Sequence, residues 1–178
     1  MVQVWRGESS GVLFDAFDIN QTNAGVGFFF AESEEHAKAY AAKGTEPRAF
    51  ELDTGLVLDL RDVHQAWRTP KMRAVLEEVR DCFDEWVCRY SGDNRDLLDY
   101  LEAGDLYDYE GTGSGQRWNQ LFRSAKAAGF NSVCLPDYTD GVRGENSIVW
   151  VVFDPARIKP SMTPSPLQQR KVRKPGPR

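Results

Sequence analysis

A chain of 178 residues, 41% hydrophobic and 28% charged, has the length and composition of one globular domain with a core of its own. Its longest apolar runs are short ("SIVWVVF" at 147–153), far from the roughly 20 apolar residues of a membrane span, and "MVQVWRGESS" lacks the pattern of a signal peptide, so a cytoplasmic protein is expected. Seven of the 22 Lys and Arg lie from Arg157 onward with no acid among them; the first 156 residues hold 15 basic and 27 acidic side chains, a formal −12, which argues against a nucleic-acid-binding body because phosphate contacts need Lys and Arg.

In chain order, "MVQVWRG" reads as a strand with Val2, Val4 and Arg6 on one side and Gln3 and Trp5 on the other. "VGFFFAE" reads as a second strand. Ser33 is a suitable N-cap with Glu34 and Glu35 behind it, so a helix is expected from 34 until Gly44 closes it. "RAFELDTGLVLDL" reads as a hairpin-like pair about Thr54-Gly55. "PKMRAVLEEVRDCFDEWVCRY" is the strongest helix, with Met72, Val75, Leu76, Val79, Phe83 and Trp86 along one side. "NRDLLDYLEAG" is a short helix. "GTGSG" at 111–115 is a loop; it lacks the GxxxxGK[ST] pattern of a phosphate-binding loop and reads as a flexible linker. A helix over "QRWNQLFRSAKAAG" follows, then strands over "NSVCLPD" and "NSIVWVVFDP", and a last short one at "RIKPS". Asp154 reads as a turn former before Pro155. The class is α+β, strands at both ends and helices between, with the domain over 1–160, a helical middle at 64–117 and a disordered, Pro-rich basic tail at 161–178.

Three cysteines (Cys82, Cys88, Cys134) without a CxxC speak against a disulfide framework or a zinc site, and two distant histidines, His36 and His64, against histidine-rich metal chemistry. The chemistry-bearing stretch is "GVGFFFAESEEHAKAY" at 25–40. Strand alternation puts Phe28 and Phe30 on one face and Phe29 on the other. The glycines let the backbone pass close to a neighbour or a ligand. Tyr40 lies on the side of the helix that carries Ala37 and Ala41, which leaves room for a flat ring, and two aromatic rings can sandwich such a ring. On periodicity alone the simpler reading is core packing.

"VWRG", "GVGFFFAESEEHAKAYA", "AAGFNSVCLPD" and "ENSIVWVVFDPARIK", in that order, resemble the ADP-ribosyltransferase superfamily, and most of all the ADP-ribosyltransferase domains of phage polyvalent proteins. The resemblance covers about 2–42 and 118–160 and leaves the helical middle unmatched. It implies a split β-sheet core with an NAD-binding cleft. In poly(ADP-ribose) polymerase-like members two tyrosines eleven residues apart sandwich nicotinamide; the matching slots here are Phe29 and Tyr40, with the spacing kept and one hydroxyl lost, and Phe30 lies beside the first slot. Arg6-Gly7 matches the first-strand motif: the Gly7 backbone would bond the nicotinamide amide, and the Arg6 fork would meet the phosphates or adenosine ribose. The family's catalytic glutamate, which bonds the ribose 2′-hydroxyl and stabilises the cationic transition state, falls on Val149 when the alignment is anchored on "VVFDP". Glu145, immediately before that strand, ranks first as its replacement and Asp137 second; each can equally be a solvated loop charge.

The resemblance implies an enzyme that splits NAD, used as substrate with no metal, and moves one ADP-ribose onto a host macromolecule, most simply a protein. Its phage setting suggests a toxin-like effector or counter-defence factor in a bacterial host's cytosol, and the acidic body suits a basic target. A catalytically dead NAD-binding or protein-interaction module and an NAD glycohydrolase are the alternatives. No membrane partner is expected, and nucleic acid only through the basic tail.

Overall fold

Alternation decides how the first strand is used. β1 (Val2–Arg6) buries Val4 completely and leaves Gln3 exposed, as a strand with one core-facing side must. In the computed structural model, which describes residues 1–7, 26–86, 97–103, 114–137 and 148–161, six more strands join it: β2 (Phe28–Ala31), β3 (Arg48–Leu52), β4 (Val57–Asp59), β5 (Ser132–Pro136), β6 (Ile148–Val152) and β7 (Ile158–Pro160). The helices are α1 (Glu34–Ala39), α2 (Val63–Arg68), α3 (Pro70–Trp86), α4 (Leu97–Ala103) and α5 (Ser114–Ala127). The class is therefore the expected α+β, built on one seven-stranded sheet in the order β4-β5-β6-β2-β1-β3-β7. Only β4 and β5 pair in parallel; the other pairs are antiparallel.

The hairpin expected about Thr54-Gly55 does not form. β3 pairs with β1 and β7, and β4 pairs with β5 at the far edge. Gly55 does turn the chain, with φ +57°, but the turn is a crossover. From Leu52 to Val57 is five Cα steps, a reach of at most about 18 Å. Five strand spacings in a flat sheet would be about 24 Å. The sheet must curl to bring its two edges together, and the contacts at the link show them meeting. Asn131, just before β5, exchanges bonds with Leu56: its side chain accepts from the Leu56 N–H at 2.8 Å, and its own N–H donates to the Leu56 carbonyl at 2.8 Å. Arg157, just before β7, donates from Nη1 to Asp53 Oδ2 at 2.8 Å, and its carbonyl accepts from the Asp53 N–H at 3.0 Å. Asn131 and Arg157 converge on Gly55, where a Cβ would meet the Arg157 Nη1 at 2.8 Å.

The curl explains two separate cores. Ladder register puts Cys134, Trp150, Val152, Phe28, Phe30, Val4, Phe50, Leu52 and Ile158 on one face, and these form a buried cluster made only of strand residues among those described. Phe30 and Phe50 meet there edge to face at 5.4 Å. The other face carries Val133, Leu135, Val149 and Val151, and the helices cover it with Val75, Leu76, Val79, Leu97, Leu101, Leu121 and Phe122. The helical middle thus shares one core with the sheet.

Helix ends follow local chemistry. α2, not separated in the sequence reading, starts at Asp62, whose carboxylate accepts the Gln65 N–H at 2.9 Å. It stops before Pro70, which disfavours helical geometry at Thr69 and then opens α3, where its missing N–H costs nothing. The α3 stripe is buried as expected at Val75, Leu76 and Val79, with Met72 packed against it; the side chains of Phe83 and Trp86 lie outside the described residues. Ser114 and Gly115, expected in the loop, belong to the first turn of α5. Asp154 caps a 3-10 turn over Pro155–Arg157 by accepting the Ala156 N–H at 2.9 Å, the turn-forming role expected of it. The tail from 162 onward is outside the described residues. No helix among the described residues is long and apolar enough to cross a membrane.

Phe50→Ala should lower the unfolding free energy by about 3–5 kcal/mol in a urea titration, because the strand-only core has no helix to settle into the cavity. Leu56→Ala, 45% exposed beside the crossover, should stay within about 0.5 kcal/mol of wild type.

Candidate functional site

The site begins where β1 runs into α1. The Ser33 hydroxyl accepts the His36 N–H at 3.1 Å and fixes the helix start, with Glu34 and Glu35 in the first turn. The helix is shorter than expected. It ends at Ala39, and the next two amides turn tightly: Tyr40 N–H to the Ala37 carbonyl at 3.2 Å, Ala41 N–H to the Lys38 carbonyl at 3.1 Å. Gly44, with φ +89°, lies beyond this turn. Gly7 stands directly against it. A Cβ there would overlap the Ala37 carbonyl oxygen and come within 2.7 Å of the Ala41 nitrogen and 3.0 Å of the Tyr40 carbonyl carbon. These obstacles are backbone, so only glycine lets strand and helix approach this closely.

Arg6 ties in the next strand. Its Nη1 donates to the Phe29 carbonyl at 3.4 Å, and its guanidinium carbon lies 5.8 Å from the Phe30 ring centre. Of the residues expected at a cofactor site, Gly7 thus lies against the backbone at Tyr40, and Arg6 against the backbone of Phe29. They do not all share a face. Register sets Arg6 with Val4 and Phe30, and Phe29 opposite. Phe29 is half-buried, its ring 5.6 Å from that of Phe122 at 77°. Phe30 is only 1% exposed and packs in the strand-only core, so its ring presents no surface to a ligand.

His36 and Tyr40, four residues apart, share a side of α1. The Tyr40 hydroxyl donates to Asp137 Oδ2 at 2.6 Å, and His36 Nε2 lies 3.5 Å from the same oxygen. The two rings are 5.5 Å apart and tilted by 52°. His36 is fully buried and Asp137 is 2% exposed, while Tyr40 is half-buried. Neither ring nitrogen of His36 has a hydrogen-bond partner among the described residues. His36 was not singled out from the sequence. Its spacing from Tyr40 was the available signal, but Asp137 is 97 residues from Tyr40, and nothing local announces that contact.

The carboxylate that the resemblance implies has two expected positions. Glu145 lies outside the described residues. Asp137, one residue past β5, is a buried acceptor for Tyr40. Val149, at the family's glutamate slot, is 5% exposed between Ala31 and Leu135 in the helix-covered core, so that strand position carries hydrocarbon into the interior.

A second polar cluster lies at the β4–β5–β6 end of the sheet. Arg61 donates to Asp59 from Nε (2.9 Å to Oδ1) and Nη2 (2.6 Å to Oδ2), and its guanidinium carbon is 5.9 Å from the Trp150 ring centre. Partial burial pushes the Asp59 carboxyl up, but the Arg61 bonds outweigh it and hold the group below its ordinary range. Trp150 Nε1 donates to Glu32 Oε1 at 3.4 Å. Burial raises the pKa of the Cys134 thiol far above the usual range, so it is no nucleophile at neutral pH. Cys82 and Cys88 have side chains outside the described residues. No group of three or more His, Cys, Asp or Glu among the described residues is placed to hold a metal ion.

No protein-family model, curated protein or solved structure matches the chain. The likeness to ADP-ribosyltransferases rests on the residues themselves.

Gly7→Ala should cost about 1–3 kcal/mol in stability, since the added methyl meets backbone on α1. Faster amide exchange at 37–41, measured by mass spectrometry, is the expected local sign; unchanged exchange there would contradict the packing role of Gly7.

Proposed function

We propose that the chain is an NAD-dependent mono-ADP-ribosyltransferase that modifies a host macromolecule, most simply a protein, as an effector or counter-defence factor. The observation that carries this reading is the junction of Gly7 with the end of α1 at Tyr40, with Phe29 tied to the same place through Arg6. The reading is supported by two backbone approaches, Gly7 against the end of α1 at Tyr40 and Arg6 against the Phe29 carbonyl. In this reading the Gly7 backbone meets the nicotinamide amide, Phe29 and Tyr40 offer ring surface to the nicotinamide, and the Arg6 guanidinium faces the phosphate and ribose side. The bond between the ribose anomeric carbon and the nicotinamide nitrogen breaks, and its electron pair leaves with nicotinamide. The cationic sugar is stabilised by a carboxylate, Glu145, on the 2′-hydroxyl. A nucleophile of the acceptor then attacks and releases its proton.

One observation favours a second reading. The strand slot for the family's glutamate is a buried valine, and Asp137 is closed over by Tyr40 and His36. Without a working carboxylate the chain would be an NAD-binding module that does not catalyse. The deciding experiment is proton NMR of NAD incubated with the protein and host lysate. Nicotinamide release with a gain of one ADP-ribose on a lysate protein supports the transferase. Release without transfer points to the glycohydrolase, and binding without release to the non-catalytic module.

Glu145→Gln should slow nicotinamide release and transfer together by about 10²–10³ while leaving NAD affinity nearly unchanged, because the charge it stabilises develops only in the transition state. Arg6→Ala should weaken NAD more than free nicotinamide in calorimetric titrations, the loss for NAD being on the order of 1.5–3 kcal/mol for a charge-assisted contact. Equal losses for both ligands would remove Arg6 from the phosphate side.

A further inference from the structure

Tyr40 is held from both ends. Its backbone is the C-cap of a six-residue helix, a length too short to be stable by itself, and Gly7 presses directly on it. Its hydroxyl donates to Asp137 Oδ2 at 2.6 Å, the length of a charge-assisted O–H···O bond. Asp137 follows the fully buried strand β5, so the bond ties the outer end of the tyrosine to a rigid part of the sheet. The fully buried His36 ring packs beside the Tyr40 ring and fills the space next to the same carboxylate. Backbone, ring and hydroxyl each have a fixed neighbour, and the residue as a whole is half-buried.

We infer that Asp137 is a positioning residue: it anchors the Tyr40 hydroxyl so that the ring is already set for a flat heteroaromatic ligand, and the carboxylate that meets the ribose lies elsewhere. This rests on the NAD-dependent reading above. An immobilised ring spares the ligand the cost of ordering it, so the effect belongs in affinity rather than in the bond-breaking step. A carboxylate acting on the ribose would do the opposite, leaving affinity and removing rate.

The test is a calorimetric double-mutant cycle with NAD, each variant first checked for native circular dichroism. Tyr40→Phe and Asp137→Ala should each weaken NAD about three- to tenfold, and the double variant should bind no more weakly than the worse single one. Asp137→Asn keeps an acceptor oxygen and should recover most of the affinity even if Asp137→Ala folds poorly. Its nicotinamide release at saturating NAD should stay within about tenfold of wild type, well short of the loss of a transition-state contact. Multiplying losses in the double variant would show that the two residues act separately and overturn the inference. So would an Asp137→Asn protein that binds NAD normally but releases nicotinamide 100-fold more slowly or worse, since Asp137 would then be the carboxylate of the reaction. Those outcomes leave the NAD-dependent reading standing. A wild-type chain that does not bind NAD overturns that reading, and this inference with it.

Discussion

Four residues, Asp53 to Leu56, carry the chain from one side of a seven-stranded sheet to the other. A flat sheet is too wide for that link, so the sheet curls, and the rest of the architecture follows. Curling lets one face close on itself with Phe28, Phe30, Phe50, Leu52 and Trp150 and no described helix over them. The opposite face shares its core with α2 to α5. The link is held by Asn131 on one side and Arg157 on the other, and Gly55 is where they converge. A side chain at Gly55 would act on two sheet edges as well as on a turn.

Much of the local structure was legible because its causes are local. Ser33 caps its helix, Asp154 caps its turn, and Phe28, Phe29 and Phe30 divide between the faces as alternation requires. The crossover was not legible. Thr54-Gly55 between two apolar runs is the signal for a hairpin, and a crossover through a positive-φ glycine uses the same residues. What separates them is the partner of β4, and that is β5, 75 residues further on at the Val57–Ser132 pair. The end of α1 was misplaced for a related reason. Gly44 is a plausible stop, but the backbone tightens earlier, where Gly7 of a distant strand packs against it.

The candidate site shows the same division. Gly7 lies against the backbone at Tyr40, and Arg6 donates to the Phe29 carbonyl, while register turns the Phe29 ring to the other face. Phe30 was not separable from Phe29 by residue type; only register sends it into the closed core with Phe50. An acid at the end of a strand, Asp137 carries no sequence signal of the Tyr40 and His36 side chains that close over it. Burial changes its chemistry more than its identity does. An exposed carboxylate there would be available to a sugar hydroxyl, whereas the observed one already takes the Tyr40 hydroxyl and has His36 beside it.

This arrangement constrains what the proposed clamp can distinguish. Phe29 has no hydroxyl, and the Tyr40 hydroxyl is engaged by Asp137, so in the proposed clamp each residue would offer ring surface rather than a polar tip. Stacking tolerates many flat rings, because every heteroaromatic has a π-face. Discrimination in favour of a carboxamide must then come from hydrogen bonds, and the residue assigned to that amide is Gly7, through its backbone. The same glycine lets β1 approach α1 closely enough to fix the Tyr40 backbone. Packing and recognition therefore depend on one position. A substitution at Gly7 would displace the backbone at Tyr40 and, if the chain binds NAD as proposed, the amide contact with it.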